Sequence, residues 1–173
     1  MVLLLCGLSG AGKTTLANEV KCRLNESGLN TEIIDGDEYR STLFRELSFS
    51  KPDRLENIRR LGFIANKFSE RGIVTIVSAI NPYDEVRTEL KETYENVKTI
   101  FIDCPVKTLI NRDTKGLYKR ALLPEGHPER ICNLTGINDP FDIPPSPDLY
   151  INTDILGIQE CTALLCDFII DNN

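Results

Sequence analysis

The stretch Gly7-Leu8-Ser9-Gly10-Ala11-Gly12-Lys13-Thr14 decides the fold of this chain. It fits the pattern G-x-x-x-x-G-K-[ST], in which a glycine-rich loop wraps the phosphates of a nucleoside triphosphate. Glycines allow positive φ angles and a close approach of the backbone to those phosphates. The N–H groups of the loop then form an anion site, which the positive end of the following helix extends. The residues predicted to bind the triphosphate are Gly7, Ser9, Gly10, Ala11, Gly12, Lys13, Thr14 and Thr15.

Two side chains of this loop have predicted chemical roles. Lys13 supplies an ammonium group for the β- and γ-phosphates, and the hydroxyl of Thr14 is placed to ligate Mg²⁺. The sequence therefore predicts Mg²⁺ as the metal ion, with Thr14 as its ligand from the protein.

The segments on either side of the loop have the structure that the motif requires. Residues 2–6 form a continuous apolar run, as expected of a strand buried on both faces. Residues 14–27 predict a helix with Leu16, Ala17, Val20 and Leu24 on one stripe and Gly28 after its end. A glycine-rich turn that binds nothing is therefore the weaker interpretation.

Composition excludes several classes of protein. The chain has 173 residues, of which 41% are hydrophobic and 27% charged, as in an ordinary soluble domain. A net charge of −6 argues against sequence-independent nucleic-acid binding, although it leaves room for a local basic pocket. We find no apolar run long enough to span a membrane and no signal peptide. The six cysteines lack zinc-site spacing, which predicts reduced, mostly buried thiols in a cytoplasmic protein.

Strands and helices alternate along the chain. Strands are predicted at residues 2–6, 31–34, 73–77, 97–102 and 149–152. Five further helices are predicted. One follows the second strand and ends at residue 47, and the next spans residues 51–71. The third begins at Asn81-Pro82 and ends at about residue 95, the fourth follows Pro105 and ends at residue 110, and the last spans residues 157–170. This order predicts an α/β fold of the P-loop NTPase type, with three α/β/α layers and a mostly parallel five-stranded sheet. We expect a single P-loop domain that spans residues 1–173.

Residues 113–147 differ in kind from the rest of the chain. They carry most of the nine prolines and only short helical possibilities. A long irregular segment in such a domain is typically a lid or a binding loop. In a phosphotransferase, a lid excludes the water that would otherwise hydrolyse the triphosphate.

Polar residues follow several of the predicted strands. In an open parallel sheet, ligands bind beyond the carboxyl ends of the strands. Asp35 and Asp37 follow the second strand, Ile80 and Asn81 the third, and Asp103 the fourth. A carboxylate there can order the water ligands of Mg²⁺ or accept a proton from an attacking hydroxyl. We predict that role for Asp35 and acceptor contact for Asp37, with helix N-capping as the open alternative for either.

A group of arginines follows the aspartates and includes Arg40, Arg54, Arg59 and Arg60. Arginine forks bind phosphate or sulfate oxygens in pairs, although a single helical arginine is more often an ion-pair partner. Arg54 and Asn57 share a helix face by their i, i+3 spacing, and Phe49 is near enough to stack on a base. As a set in an acidic protein, these residues predict an anionic, nucleotide-like acceptor.

Several motifs in this order resemble the adenylylsulfate (APS) kinase family. They are Gly7 to Thr14 as quoted above, Asp35-Gly36-Asp37 with Arg40, Phe49-Ser50 with Asp53-Arg54, Glu56-Asn57-Ile58-Arg59-Arg60, Arg112-Asp113, Lys115-Gly116-Leu117-Tyr118-Lys119 and Thr135-Gly136-Ile137-Asn138-Asp139-Pro140. The resemblance runs from residue 2 to about residue 149. It implies a kinase of sulfate assimilation that transfers the γ-phosphate of MgATP to the ribose 3′-hydroxyl of APS and forms PAPS.

The resemblance also assigns roles to individual residues. It implies Lys13 and Asp35 in catalysis, Arg112 near the base of ATP, and a lid around residues 115–136. The implied acceptor-binding residues are Asp37, Arg40, Phe49, Arg54, Asn57, Ile80, Asn81, Lys115 and Leu134. The implied partners are ATP and the acceptor, without nucleic acid or a membrane. The sequence leaves the oligomeric state open, with a homodimer among the alternatives.

Two departures from the family pattern keep other functions open. Asn81-Pro82 stands where the family usually has a serine before proline, which supports direct in-line transfer only. Cys132 and Leu134 stand where the family has a lysine and a phenylalanine that stacks on adenine. The alternative is therefore the same 3′-hydroxyl chemistry on a cytidine compound such as cytidine diphosphoramidate. A nucleotide-dependent switch protein is less favoured, because no N-K-x-D motif is present.

Overall fold

A computed structural model describes residues 1–173 of the chain. The strands are β1 (Val2–Cys6), β2 (Thr31–Asp35), β3 (Val74–Ser78), β4 (Val97–Asp103) and β5 (Leu149–Asn152). The helices are α1 (Lys13–Glu26), α2 (Gly36–Thr42), α3 (Lys51–Ser69), α4 (Asp84–Thr93), α5 (Val106–Arg112), α6 (Leu117–Ala121) and α7 (Ile158–Asn172). The five strands lie in the order β2-β3-β1-β4-β5, and every neighbouring pair is parallel. The predicted α/β fold is confirmed.

Strand β1 lies in the middle of the sheet and is buried along its whole length. Successive side chains of a strand point to opposite faces. Leu3 and Leu5 accordingly pack into the hydrophobic core beneath α1 and α7, whereas Val2 and Leu4 pack into the core beneath α3 and α4. Burial of one such leucine contributes about 1.5–3 kcal/mol to folding. The strand thus places the loop that follows it at a rigid, central position.

The N-terminus of α3 agrees with its sequence signal. The Oγ atom of Ser50 accepts a hydrogen bond from the backbone N–H of Asp53 at 3.3 Å, and Pro52 lies in the first turn. The predicted core stripe is largely confirmed, since Leu55, Ile58 and Leu61 are buried, along with Ala65, while Phe68 is half-buried.

Two predicted helix boundaries are wrong. Helix α2 ends at Thr42 and not at residue 47. Helix α4 begins at Asp84 and not at Asn81-Pro82, because Asn81 has a φ angle of 47° and its carbonyl accepts a hydrogen bond from Nη1 of Arg87 at 2.6 Å. This buried contact therefore accompanies a start of the helix two residues later than predicted.

The predicted lid has the expected irregular structure. Its one helix is the short α6, whose first N–H groups are capped by Asp113: Oδ1 accepts from Tyr118 at 3.0 Å and Oδ2 accepts from Lys119 at 2.9 Å. Tyr118 and Leu134 are nonetheless buried in the core beneath α1. The lid is thus anchored by a few apolar side chains. None of the helices combines the length and the apolar character that crossing a membrane requires.

Candidate active site

The loop between β1 and α1 has the backbone that its glycines predict. Gly10 and Gly12 have φ angles of 78° and 94°, in the left-handed region that favours glycine. At Gly7, a Cβ atom would lie 2.2 Å from the carbonyl oxygen of Ile102, so no other residue fits there without a shift of the strand. The loop is therefore packed directly against the end of β4.

Lys13 is almost fully buried beneath this loop. Its Nζ atom donates hydrogen bonds to the carbonyl oxygens of Gly7 and Leu8, both at 2.8 Å. Burial lowers the pKa of the ammonium group from its usual 10.5 to about 8. Because this charge is only partly compensated by carbonyl groups, the site is complementary to an anion.

The hydroxyl of Thr14 is the centre of a small group of oxygen atoms. Its Oγ1 donates to Oδ2 of Asp35 at 3.1 Å and lies 3.1 Å from Oγ of Ser78. Oxygen ligands suit Mg²⁺, which usually takes few ligands from the protein and completes its shell with phosphate oxygens and water. These three residues therefore fit a Mg²⁺ site beside the phosphates. Ser78 was missed by the sequence analysis; the signal for it is a polar residue at the end of an apolar strand.

Asp35 caps helix α2 and also contacts Thr14. Its Oδ1 caps α2 by accepting hydrogen bonds from the N–H groups of Asp37 and Glu38, at 2.9 and 3.2 Å. Its Oδ2 is directed to Thr14. The helix cap thus holds the carboxylate in the orientation that the proposed metal site needs. Asp37 is not the cap.

These residues open into a cavity of about 510 Å³. Its floor is the loop between β1 and α1, one wall is formed by Asp35, Asp37 and the end of β3, and the other by the lid. The predicted residues that line it are Ser9, Gly10, Gly12, Lys13, Thr14, Thr15, Asp35, Asp37, Phe49, Arg54, Ile80, Lys115 and Leu134. The remaining predicted residues lie behind the walls: Gly7, Ala11, Arg40, Asn57, Asn81 and Arg112.

Phe49 and Arg54 form part of one wall of the cavity, and Arg40 supports the Phe49 ring from behind. The guanidinium carbons of Arg40 and Arg54 lie 4.9 and 5.4 Å from the centroid of the Phe49 ring. Arg40 is held in place because its Nη1 donates to the carbonyl oxygen of Ser48 at 2.7 Å. The ring remains 53% exposed, which leaves surface for a planar ligand.

Arg59 and Arg60 do not contribute to this wall, contrary to their grouping in the sequence. Arg59 donates to both carboxylate oxygens of Glu89, and Arg60 is paired with Glu46 and Glu56. The reason is the helix period: five and six positions after Arg54 correspond to rotations of about 140° and 240° around α3. Both arginines therefore lie on another face.

The lid reaches the cavity from two sides. Lys115 forms an ion pair with Asp37, with Nζ 2.8 Å from Oδ2. The buried hydroxyl of Tyr118 donates to the carbonyl oxygen of Ser9 at 2.8 Å, and burial raises the pKa of Tyr118 to about 12, so the donor stays protonated. Tyr118 was not predicted as a site residue, because its role depends on a partner 109 positions away.

Other predicted residues lie outside the cavity. Arg112 donates to the carbonyl oxygen of Thr153 at 2.9 Å, and Thr153 in turn donates to the carbonyl oxygen of Ala11 at 3.0 Å. Thr153 thus links Arg112 to the phosphate loop. Asp103 accepts a hydrogen bond from the hydroxyl of Tyr150 at 2.7 Å and does not line the cavity.

Two buried amides outside the lining of the cavity lack hydrogen-bond partners. They are Oδ1 of Asn57 and both amide atoms of Asn81. Buried polar groups are rarely left unpaired, and such a group is commonly completed by water or a ligand. Asn81 is not the helix cap that its sequence suggests, and its amide remains available.

Comparison with known proteins agrees with this geometry. The profile of the adenylylsulphate kinase family matches residues 1–152. An adenylyl-sulfate kinase of Chloroflexus aurantiacus is 44% identical over 161 residues, which cover 93% of this chain and 84% of the relative. One from Rippkaea orientalis is 42% identical over 90% of this chain and 83% of its own length.

Among solved structures, the Mycobacterium tuberculosis APS kinase CysC in complex with AMPPNP and APS superposes with a TM-score of 0.90. It is 34% identical to this chain, and the match covers 98% of this chain and 96% of that one. Both the phosphate loop and the wall that contains Phe49 and Arg54 fall within the matched length.

Proposed function

The chain belongs to the adenylylsulphate kinase family, and from this membership we propose how its cavity performs the reaction. The protein is an ATP-dependent kinase that phosphorylates the 3′-hydroxyl of APS and forms PAPS, the sulfate donor of sulfate assimilation. One observation carries the assignment of the site. The phosphate loop and a second, arginine-containing wall with Phe49 line the same cavity.

We assign the triphosphate to the loop side of the cavity. The N–H groups of the loop and the ammonium of Lys13 bind the β- and γ-phosphates, and Lys13 offsets the charge that develops during transfer. To do so, Nζ exchanges its carbonyl partners, Gly7 and Leu8, for phosphate oxygens. Arg112, held against Thr153, lies on the side of the loop that we assign to the adenine.

Thr14, Asp35 and Ser78 would hold Mg²⁺, which would supply positive charge to offset that of the phosphates. The Oδ2 atom of Asp35 also lies where it can orient the acceptor hydroxyl or take its proton. Because Oδ1 is occupied by the cap of α2, only Oδ2 is free for this role. We propose direct in-line transfer from ATP to the acceptor.

We assign the acceptor to the opposite side. Phe49 offers ring surface for its base, Arg54 and Arg40 supply positive charge for its phosphosulfate group, and the unpaired amides of Asn57 and Asn81 supply further hydrogen bonds. Lys115 and Asp37 close the cavity by joining the lid to α2. Closure excludes the water that would compete with the acceptor.

A second candidate keeps this chemistry and changes the base of the acceptor to cytosine. It is favoured by Leu134, which lines the cavity at the position where an aromatic residue would stack on adenine. Loss of one stacking contact forfeits on the order of 1–3 kcal/mol.

Parallel assays separate the two candidates. The purified protein is incubated with MgATP and either APS or cytidine diphosphoramidate, and ADP formation and the 3′-phosphorylated product are measured. We expect turnover with APS. Turnover with the cytidine compound alone supports the second candidate, and turnover with neither contradicts both.

A further inference from the structure

The guanidinium of Arg54 is held mainly by the lid. Its Nε donates to the carbonyl oxygen of Phe49 at 2.8 Å. Its other contacts come from the lid: Nη2 donates to the carbonyl oxygen of Asn133 at 2.7 Å, and Nη1 donates to Oγ1 of Thr135 at 3.1 Å. An ion pair with Asp139, 3.1 Å from Nη2, completes the set. A guanidinium has five N–H donors, of which three make hydrogen bonds here, and the carboxylate of Asp139 lies beside Nη2. On Nη1, one N–H remains without an acceptor in the chain.

Asp139 is the only carboxylate in an ion pair with Arg54. The side chain of Arg54 is 8% exposed and that of Asp139 is 24% exposed, so water compensates this charge only weakly. A buried cation that loses its partner is strongly destabilised and tends to move toward solvent. The position of Arg54 therefore depends on the carboxylate of Asp139.

Asp139 is itself fixed by a closed turn of the lid. Its N–H donates to the carbonyl oxygen of Leu134 at 3.2 Å, and its own carbonyl accepts from Gly136 at 2.8 Å. Gly136 has a φ angle of 86°, and a Cβ atom there would lie 2.6 Å from Cδ2 of Leu8 in the phosphate loop. The turn thus packs between the phosphate loop and Arg54.

We propose that Asp139 is a positioning residue for the acceptor, which acts by orienting Arg54. Asp139 does not line the cavity, whereas Arg54, Asn133 and Thr135 do. It fixes the plane of the guanidinium, and with it the direction of the N–H on Nη1 that has no acceptor in the chain. It also secures the wall formed by Asn133 and Thr135. The proposal rests on the function proposed above, in which Arg54 contacts the acceptor.

The isosteric variant Asp139→Asn tests this role, because it removes the charge and keeps the shape. We expect the KM for APS to rise about tenfold, while kcat and the KM for ATP change by less than about twofold. This split indicates weaker acceptor binding without damage to the transfer step. An unchanged or lowered KM for APS overturns the proposal.

Asp142→Asn is the matched control in the same segment. Asp142 is exposed, and its carboxylate accepts only from the N–H of Asp84, at 3.2 Å, with no contact to Arg54. We expect all kinetic constants of Asp142→Asn to equal those of the wild type. Equal increases in the KM for APS in both variants point to general loosening of the lid and overturn the specific role of Asp139.

A double variant separates this inference from the proposed function. Arg54→Ala alone should raise the KM for APS and not that for ATP; no effect contradicts the placement of the acceptor itself. In the Arg54→Ala background, Asp139→Asn should cause no further increase, since it acts through the missing guanidinium. An additional tenfold increase overturns the inference and leaves the proposed function intact.

If Asp139→Asn does not fold, Asp139→Glu provides the test. It keeps the charge and moves the carboxylate by one methylene, so we expect the KM for APS to rise by about threefold at unchanged kcat. A change confined to kcat, or no change in the KM for APS, overturns the proposal.

Discussion

The hydroxyl of Thr14 lies 3.1 Å from Oδ2 of Asp35, although 21 positions separate the two residues in the sequence. They meet because β1 and β2 end at the same edge of a parallel sheet, with β3 between them. One oxygen of Asp35 caps a helix and the other faces the proposed metal site. Stability and catalysis can therefore be separated at this residue by choice of substitution.

Asp35→Asn should reduce kcat by about a hundredfold with little effect on folding, because asparagine is as good an N-cap as aspartate but is a poorer metal partner and no base. Asp35→Ala should reduce kcat similarly and also cost about 1 kcal/mol of stability through the lost cap. Steady-state kinetics and thermal denaturation of both variants provide the measurement. Equal stability of the two variants contradicts the capping role.

Lys13→Ala should reduce kcat by about a thousandfold or more, since the ammonium offsets charge on the transferred phosphoryl group. The fold should persist, as judged by circular dichroism. Lys107→Ala on the exposed side of α5 is the matched control and should behave like the wild type. Substantial turnover by Lys13→Ala contradicts the assignment of Lys13.

The affinity for MgATP should fall as the pH rises above about 8, the pKa to which burial lowers Lys13. Above that value the free protein loses the ammonium proton, and the Kd should rise by up to about tenfold per pH unit. In the same window the free protein should gain stability with increasing pH, because the unfolded chain holds the proton up to its ordinary pKa of 10.5. Calorimetric titration from pH 7 to 9.5 measures the Kd.

Lys13→Arg is the control for this pH dependence, because arginine keeps its charge throughout the range. The Kd of Lys13→Arg for MgATP should show no inflection near pH 8. A wild-type inflection that persists in Lys13→Arg must come from another group.

Tyr118→Phe removes the hydrogen bond from the lid to the carbonyl oxygen of Ser9. We expect a loss of about 1 kcal/mol of stability and a KM for ATP raised by about threefold to fivefold, because the phosphate loop loses a support. Tyr94→Phe is the control, since its hydroxyl makes no hydrogen bond within the chain. An unchanged KM for ATP in Tyr118→Phe shows that the lid does not support the loop.

Gly7→Ala should be far more destabilising than Gly28→Ala, although both glycines have positive φ angles. At Gly28 a Cβ atom would meet nothing within 4 Å. The alanine variant should therefore lose only about 1 kcal/mol of stability, because alanine disfavours a left-handed backbone conformation. At Gly7 the Cβ would collide with the carbonyl oxygen of Ile102. Thermal denaturation should show a decrease of about 2–4 °C for Gly28→Ala and several times that for Gly7→Ala. Similar decreases would indicate that the loop can shift.

Local features of the sequence predicted much of the structure correctly. The apolar run of β1, the glycines after it and the Ser50 cap have short local sequence patterns. These features could therefore be predicted from the sequence. The same holds for the positions of Asp35 and Asp37 at a strand end. The predicted start of α4 at Asn81-Pro82 was wrong because Arg87, a buried arginine of α4 itself, donates to the carbonyl oxygen of Asn81.

By itself, the sequence determined the phosphate loop and the parallel sheet, because short-range patterns of glycine and apolar residues specify them. The type of reaction followed from the resemblance of its motifs to the APS kinase family. Only the tertiary structure decided which arginines reach the cavity: Arg54 does, and Arg59 and Arg60 pair with glutamates. Only it brought Ser78 beside Thr14 and Asp139 beside Arg54. The physical reason is that these contacts join residues far apart in the chain, whose side-chain directions depend on how strands and helices pack.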